Sequence, residues 1–276
     1  MFTDRDVRKA QKRFVHETAS ALQGHPAIWG WDLGNQITHF AIPPSQDHTR
    51  AWFDEMLNEL RRRDSHLPVT TAIHQGDLER PWLMGPKEAA GFCDFLSLHA
   101  GPPFPQWADG SGDSLFPVFQ CLMTKWLGGK KVILESLGIP TKPPAGALNE
   151  SDREKLENTH LFSEGDAESY VYKVLNLLRQ NEVSGAFAWC FADFDSNLWE
   201  KPPFDERIQE RFYGLFHGNG AAKRSAHIFS EFPRGQKEKE PDWAWIDIDR
   251  REYYENPLAS LKHLYGRFRD WSPQDE

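Results

Sequence analysis

Apolar positions along the chain fall into two alternating rhythms. Residues 4–23 carry Val7, Ala10, Phe14, Ala21 and Leu22 at helical spacing, which predicts an amphipathic helix with that stripe turned inward. Gly24 and Pro26 end it. The short apolar run 27–33 predicts a buried strand. The same sequence of events then recurs. A helix over 46–63 (Trp52, Phe53, Met56, Leu57, Leu60) precedes a strand over 68–73, and a short helix near 86–91 leads into a strand over 95–99. A helix around 114–127 comes before a strand over 131–135, and one over 166–181 (Tyr170, Val171, Val174, Leu177, Leu178) before a strand over 185–191. Residues 206–216 and 221–231 also read as helical. The Pro/Gly-bounded, charge-rich stretch 233–245 predicts an exposed linker. Beyond it, residues 246–276 hold Leu258, Leu261, Leu264, Tyr265 and Phe268 at helical spacing, a helical tail packing back on the body.

Five β/α units in succession predict an α/β protein with parallel strands joined by right-handed crossovers. Strand starts near 27, 68, 95, 131 and 185 bracket the roughly 31 residues per unit of a (β/α)8 TIM barrel. A doubly wound open sheet is the rival, but no Gly-rich phosphate fingerprint follows any strand, and Gly218-Asn219-Gly220 lies between predicted helices. The barrel is favoured, with residues 1–232 as its body.

Composition narrows the chemistry. The 276 residues carry a formal net charge of −9 and are 39% hydrophobic and 26% charged, a globular balance with no basic surface for nucleic acid or anionic membrane. No apolar run is long enough to span a bilayer. The opening residues stay charged where a secretory leader would turn apolar, and the compartment is left open. Cys93, Cys121 and Cys190 form no CxxC and no paired framework. The histidines are scattered, and His16-Glu17 lacks the second His of a zinc helix, so neither metal nor cofactor is expected. The 11 Trp and 19 Phe serve equally for sugar stacking and for core filling.

In a barrel, chemistry gathers at the C-terminal ends of strands. Those ends are Asn35-Gln36, His74-Gln75, His99, Glu135-Ser136 and the run Trp189 to Asp193. Glu135, closing Val-Ile-Leu, is poorly suited to a buried strand end unless something polar uses it.

Several of these segments together resemble clan A retaining glycoside hydrolases of the family 5 type, the cellulases and mannanases. His25 to Gln36 is similar to their fourth-strand motif ending in Asn-Glu. Asp94 to His99 is similar to the sixth strand, Val132 to Gly138 to the seventh with its nucleophilic glutamate, and Ala186 to Asp193 to the eighth with its sugar-floor Trp. The interval from Gln36 to Glu135 fits about three β/α units. The resemblance covers residues 1 to about 232. It implies five units corresponding to strands 4–8, with the first three absent and open edges inviting self-association.

It further implies a retaining double displacement on a β-linked oligosaccharide or polysaccharide, using two carboxyls about 5–5.5 Å apart. Glu135 matches the nucleophile and Asn35 the ligand of the sugar 2-hydroxyl. Trp189 matches the stacking floor, and His99 a group that polarises the nucleophile's surroundings. His74 and Asp193 are further strand-end candidates for substrate contact. Two positions depart from the family. Gln36 stands where the acid/base glutamate belongs, and an amide neither gives nor regains a useful proton. Gly101 replaces a tyrosine. A glycosidase impaired at its acid/base position and a non-catalytic carbohydrate-binding barrel are the two readings left open.

Overall fold

The computed structural model describes residues 1–81, 83–144, 146–156, 160–232 and 241–272. The chain divides into two compact units. The first comprises residues 1–99, 120–133 and 243–276, and the second residues 100–119 and 134–242. A five-stranded sheet has the order β1 (Trp31–Asn35), β2 (Val69–His74), β3 (Leu96–His99), β4 (Val132–Leu137), β5 (Gly185–Ala188). Each strand neighbours the next in sequence. β1, β2 and β3 pair in parallel with the register Trp31↔Val69 and His74↔His99. The predicted alternation of strand and helix is thus present, in a sheet whose first and last members are β1 and β5.

In the first unit, α1 (Arg5–Leu22) is started by Asp4, whose carboxylate accepts from the Asp6 and Val7 N–H groups. Its inward stripe differs from the predicted one. Phe14 is 72% and Val7 42% exposed, while Ala19 is fully buried against Leu60 and Val69, with Val15 packed alongside. The reason lies in the partner helix α2 (Gln46–Arg61). It meets α1 through Arg8–Glu55 and His16–Glu59 pairs and a Trp52 indole N–H donating to Gln11. A polar contact face at positions 8, 11 and 16 is invisible to a search for apolar periodicity.

β1 begins four residues later than the apolar run 27–33 predicts. The chain turns first, with the Ile28 N–H donating to the His25 carbonyl, and Trp29 remains 59% exposed. β2 and β3 are buried throughout apart from the half-buried His74 at the end of β2, and the Thr70 hydroxyl donates to the buried Ser97 hydroxyl between them. Asp94 ties them by accepting from the Val69 N–H and from Arg61. α3 (Pro86–Ala90) precedes β3. At the end of α4 (Leu115–Gly128), Gly128 is required, because a Cβ there would lie 2.5 Å from a Leu96 methyl. α8 (Arg250–Glu255) and α9 (Pro257–Trp271) bury Tyr253, Leu261, Leu264 and Phe268, and the Tyr253 hydroxyl donates to the Leu78 carbonyl. Residues 233–240 of the expected linker lie outside the described residues. Its last residue does not fit an exposed stretch: Trp245 is 1% exposed and packs edge-on to Phe268.

The second unit contains α5 (Glu150–Leu156), α6 (Glu164–Gln180), β5 and α7 (Arg224–Glu231). α6 opens with a reciprocal Ser163/Asp166 cap and buries Tyr170, Val171, Val174 and Leu178. The helix expected over 206–216 is instead one 3-10 turn (Ile208–Phe212) followed by extended chain. Gly214 lies so close to the Asp193 backbone that a Cβ would sit 2.1 Å from its nitrogen, and Phe216 bridges Ala192 and Ala222. These bridges draw the segment out of a helix.

Candidate functional site

The strand ends of the first unit carry one group of candidates. Asn35 is exposed at the end of β1, opposite Ala72. The register slips between Asp32 and Asn35, where the Asp32 carboxylate accepts from the Gly34 N–H. Gln36 follows in the left-handed region (φ 48°), half-exposed, with its N–H donating 2.9 Å to the Ala72 carbonyl. The turn it opens buries Thr38, whose hydroxyl donates 2.7 Å to the Asp77 carboxylate. His74 and His99 face each other in register at the ends of β2 and β3, and His39 reaches the His74 ring edge-on at 4.1 Å between centroids. The structure therefore brings together Asn35, Gln36, His74 and His99 on three adjacent strands and adds His39, Thr38 and Asp77. Nothing in the sequence pattern distinguishes those three. Only the short spacings Gln36 to His39 and His74 to Asp77 could have flagged them.

Burial lowers His74 to a pKa of about 4, with the neighbouring His39 and His99 adding to the effect. Burial raises the Asp77 carboxyl, opposed by hydrogen bonds from Thr38 and the His74 N–H. The sign for stability follows. An unfolded histidine, near 6.5, takes up a proton before the folded one does, so the unfolded state binds more protons between those two values. The contribution of His74 is complete above pH 6.5 and is lost as the pH falls toward about 4. Urea titrations across that window should show this part of the slope disappearing in His74→Asn. An unchanged slope would contradict the assignment.

The second unit carries the other group. Glu135 is half-buried in β4, and Ser136 after it has φ 67°, which breaks the alternation at the strand end. β5 continues into Trp189, whose N–H donates 3.0 Å to the Leu137 carbonyl. Gly138 makes that approach possible, since a Cβ would lie 2.5 Å from the Trp189 carbonyl oxygen. Gly101 is less confined, with a Cβ position 3.1 Å from the Ser136 carbonyl. Trp189 is 43% exposed, and burial pushes the carboxyl of nearby Glu210 up. Glu210, on the 3-10 turn, escaped the sequence reading because that segment was taken for a plain helix.

Asp193 is not an open strand-end carboxylate. Its side chain is 7% exposed and accepts from Lys223 Nζ at 2.6 Å and from the Gly214 N–H at 2.9 Å. Lys223 also donates to the Thr141 hydroxyl and the Phe212 carbonyl. Burial raises Asp193 and lowers Lys223, while the contact between them pulls each the other way. Among the described residues no His, Cys, Asp and Glu cluster could hold a metal ion, and no helix is long and apolar enough to cross a membrane.

No family model matches the chain. No curated protein matches it in sequence. Solved structures do. A GH5_18 variant from Streptomyces cattleya in complex with Manβ1-4GlcNAc aligns at 17% identity and TM-score 0.64 over 86% of this chain and 57% of its own. The exo-β-1,4-mannosidase Op5Man5 from Opitutaceae bacterium strain TAV5 aligns at 18% identity and TM-score 0.66, over 84% and 40%. A β-glucuronidase from Faecalibacterium prausnitzii aligns at 18% and 0.62, over 83% and 36%. The fold is therefore glycosidase-like, an α/β arrangement shared with TIM-barrel glycoside hydrolases. This chain spans between about a third and three-fifths of the length of those structures.

Proposed function

We propose that the chain carries a saccharide site of the retaining β-glycosidase type, with Glu135 as nucleophile and Gln36 at the acid/base position. The observation that carries the reading is Glu135 near the end of β4, with the half-exposed Trp189 following the adjacent β5, in a glycosidase-like fold. Trp189 offers its face to a sugar ring; Asn35 and His99 are taken as polar contacts from the motif resemblance, and His74 from its place at the end of β2. Asp193 is paired with Lys223 and the Gly214 N–H. The family 5 character, the retaining course and the specificity for a β-linked glycan rest on the motif resemblance.

The chemistry then follows from Gln36. A Glu135 carboxylate oxygen attacks the anomeric carbon as the bond to the leaving oxygen breaks, and that oxygen ordinarily takes a proton from the acid. Gln36 has none to give. It also cannot remove a proton from the water that would release the glycosyl group. Activated aryl glycosides, whose phenolate departs unprotonated, should form a glycosyl ester on Glu135 that persists. Intact-protein mass spectrometry with a panel of activated β-glycosides should show one added glycosyl mass, absent in Glu135→Gln. No adduct on any member would remove the catalytic assignment.

The same amide favours a second reading, a carbohydrate-binding barrel without turnover. Calorimetric binding of oligosaccharides, with no adduct and no hydrolysis, is the result that would select it.

A further inference from the structure

One imidazole at the strand ends has its proton position fixed by backbone geometry. The Nδ1 of His74 accepts the Gly76 N–H at 3.1 Å. A ring nitrogen that accepts carries no proton, so the neutral ring holds its proton on Nε2. That nitrogen belongs to a half-buried side chain at the C-terminal end of β2, beside the turn that begins at Gln36.

Two neighbours hold this state. Asp77 is 4% exposed, and its carboxylate spans two strand ends, one oxygen accepting from the His74 N–H at 3.0 Å and the other from the Thr38 hydroxyl at 2.7 Å. It thereby ties the turn after β1 to the end of β2. Gly76 lets its backbone come up to the ring, because a Cβ there would stand 3.0 Å from Nδ1 and 3.3 Å from Cε1. Sequence reading singled out His74 alone, as one strand-end candidate among several. It did not separate His-Gln-Gly-Asp as a unit.

We propose that His74 is a fixed, neutral hydrogen-bond donor through Nε2, and that Gly76 and Asp77 are the positioning residues that hold it so. The group it is built to meet is an uncharged acceptor oxygen, a sugar hydroxyl or ring oxygen, which deepens and rests on the saccharide reading above. The groups facing the ring are His39 from the turn after β1, His99 from β3 and the Gly76 N–H from its own turn, while Asp77 holds the His74 backbone. The low proton affinity that burial gives the ring keeps it in this neutral form at physiological pH.

The test reads the proton directly. Protein labelled with 15N-histidine is examined by long-range 1H–15N correlation at neutral pH with no saccharide present, and the His74 signals are identified by their loss in His74→Asn. The expected spectrum has a protonated Nε2 and an unprotonated Nδ1. In Gly76→Ala the tautomers should mix, and saccharide binding should weaken by about tenfold or less, the range of one neutral hydrogen bond. A proton on Nδ1, or a ring that titrates like a free histidine, overturns the proposal. So does a Gly76→Ala protein with an unchanged tautomer. Should His74→Asn fail to fold, His74→Gln identifies the signals instead, and the wild-type spectrum then decides the tautomer. Because it is recorded without ligand, it is also independent of the adduct experiment. A Nδ1 proton would sink this inference in an active glycosidase, and an absent adduct would leave the tautomer standing.

Discussion

Gln36→Glu should raise hydrolysis of unactivated β-glycosides by about 100- to 10,000-fold, the contribution of a positioned general acid/base. The substitution exchanges an amide for a carboxyl of the same shape. The residue is half-exposed and its backbone is already held by the N–H donated to Ala72, so the new side chain needs no new chain conformation. The gain should fall mainly in kcat for substrates with poor leaving groups and should be small for activated aryl glycosides in the first step. In the second step the carboxylate activates water, so the persistent adduct on Glu135 should turn over. Glu135→Gln in the same background should abolish both effects. A Gln36→Glu protein that forms the adduct yet hydrolyses nothing would show that Gln36 does not stand at the acid/base position.

Lys223→Ala should lower stability by about 3–5 kcal/mol, the cost of leaving a buried charge without its partner. Lys223 is 1% exposed and Asp193 keeps only 7% of its side chain accessible, so solvent cannot replace the lost ammonium. The change would also remove donors from the Thr141 hydroxyl and the Phe212 carbonyl. Asp193 bonds the Gly214 N–H as well, so the chain next to Trp189 should loosen with it. Urea unfolding should show the shift in midpoint. A double replacement, Lys223→Met with Asp193→Leu, should recover most of it, because removing both charges removes the desolvation cost. A loss under about 1 kcal/mol in Lys223→Ala would mean the pair is hydrated and contributes like a surface contact.

The two predictions show how unevenly the site could be read in advance. Trp189 directly follows β5 and Glu135 lies two residues before the end of β4, close to where the apolar runs end. Asp193 was legible only as a carboxylate. Whether it faces a ligand or a lysine thirty residues away depends on a chain crossing at Gly214 that no local pattern encodes. Glu210 and Asp77 were missed for a related reason. Each acquires its surroundings from other segments, burial for Glu210 and the Thr38 hydroxyl for Asp77.

The fold divides along the same line. Alternation of short apolar runs with amphipathic stretches fixes strand and helix locally, since side-chain period alone tells the two apart. The order of five strands with intervening helices followed from that, as did the ends of β1, β2 and β3, whereas β4 runs on to Leu137 and β5 stops at Ala188. The buried face of α1 did not follow. Val7 and Phe14 form the apolar stripe, but the face that packs is set by Glu55, Trp52 and Glu59 on α2, which pair with polar residues of α1. Nor did the fate of residues 206–216, where bridging to Ala192 and Ala222 overrides a helical pattern. The sequence determined most of the elements and which polar side chains stand near their ends. Tertiary structure alone decided which polar groups meet, because burial and hydrogen-bond partners come from segments far apart along the chain.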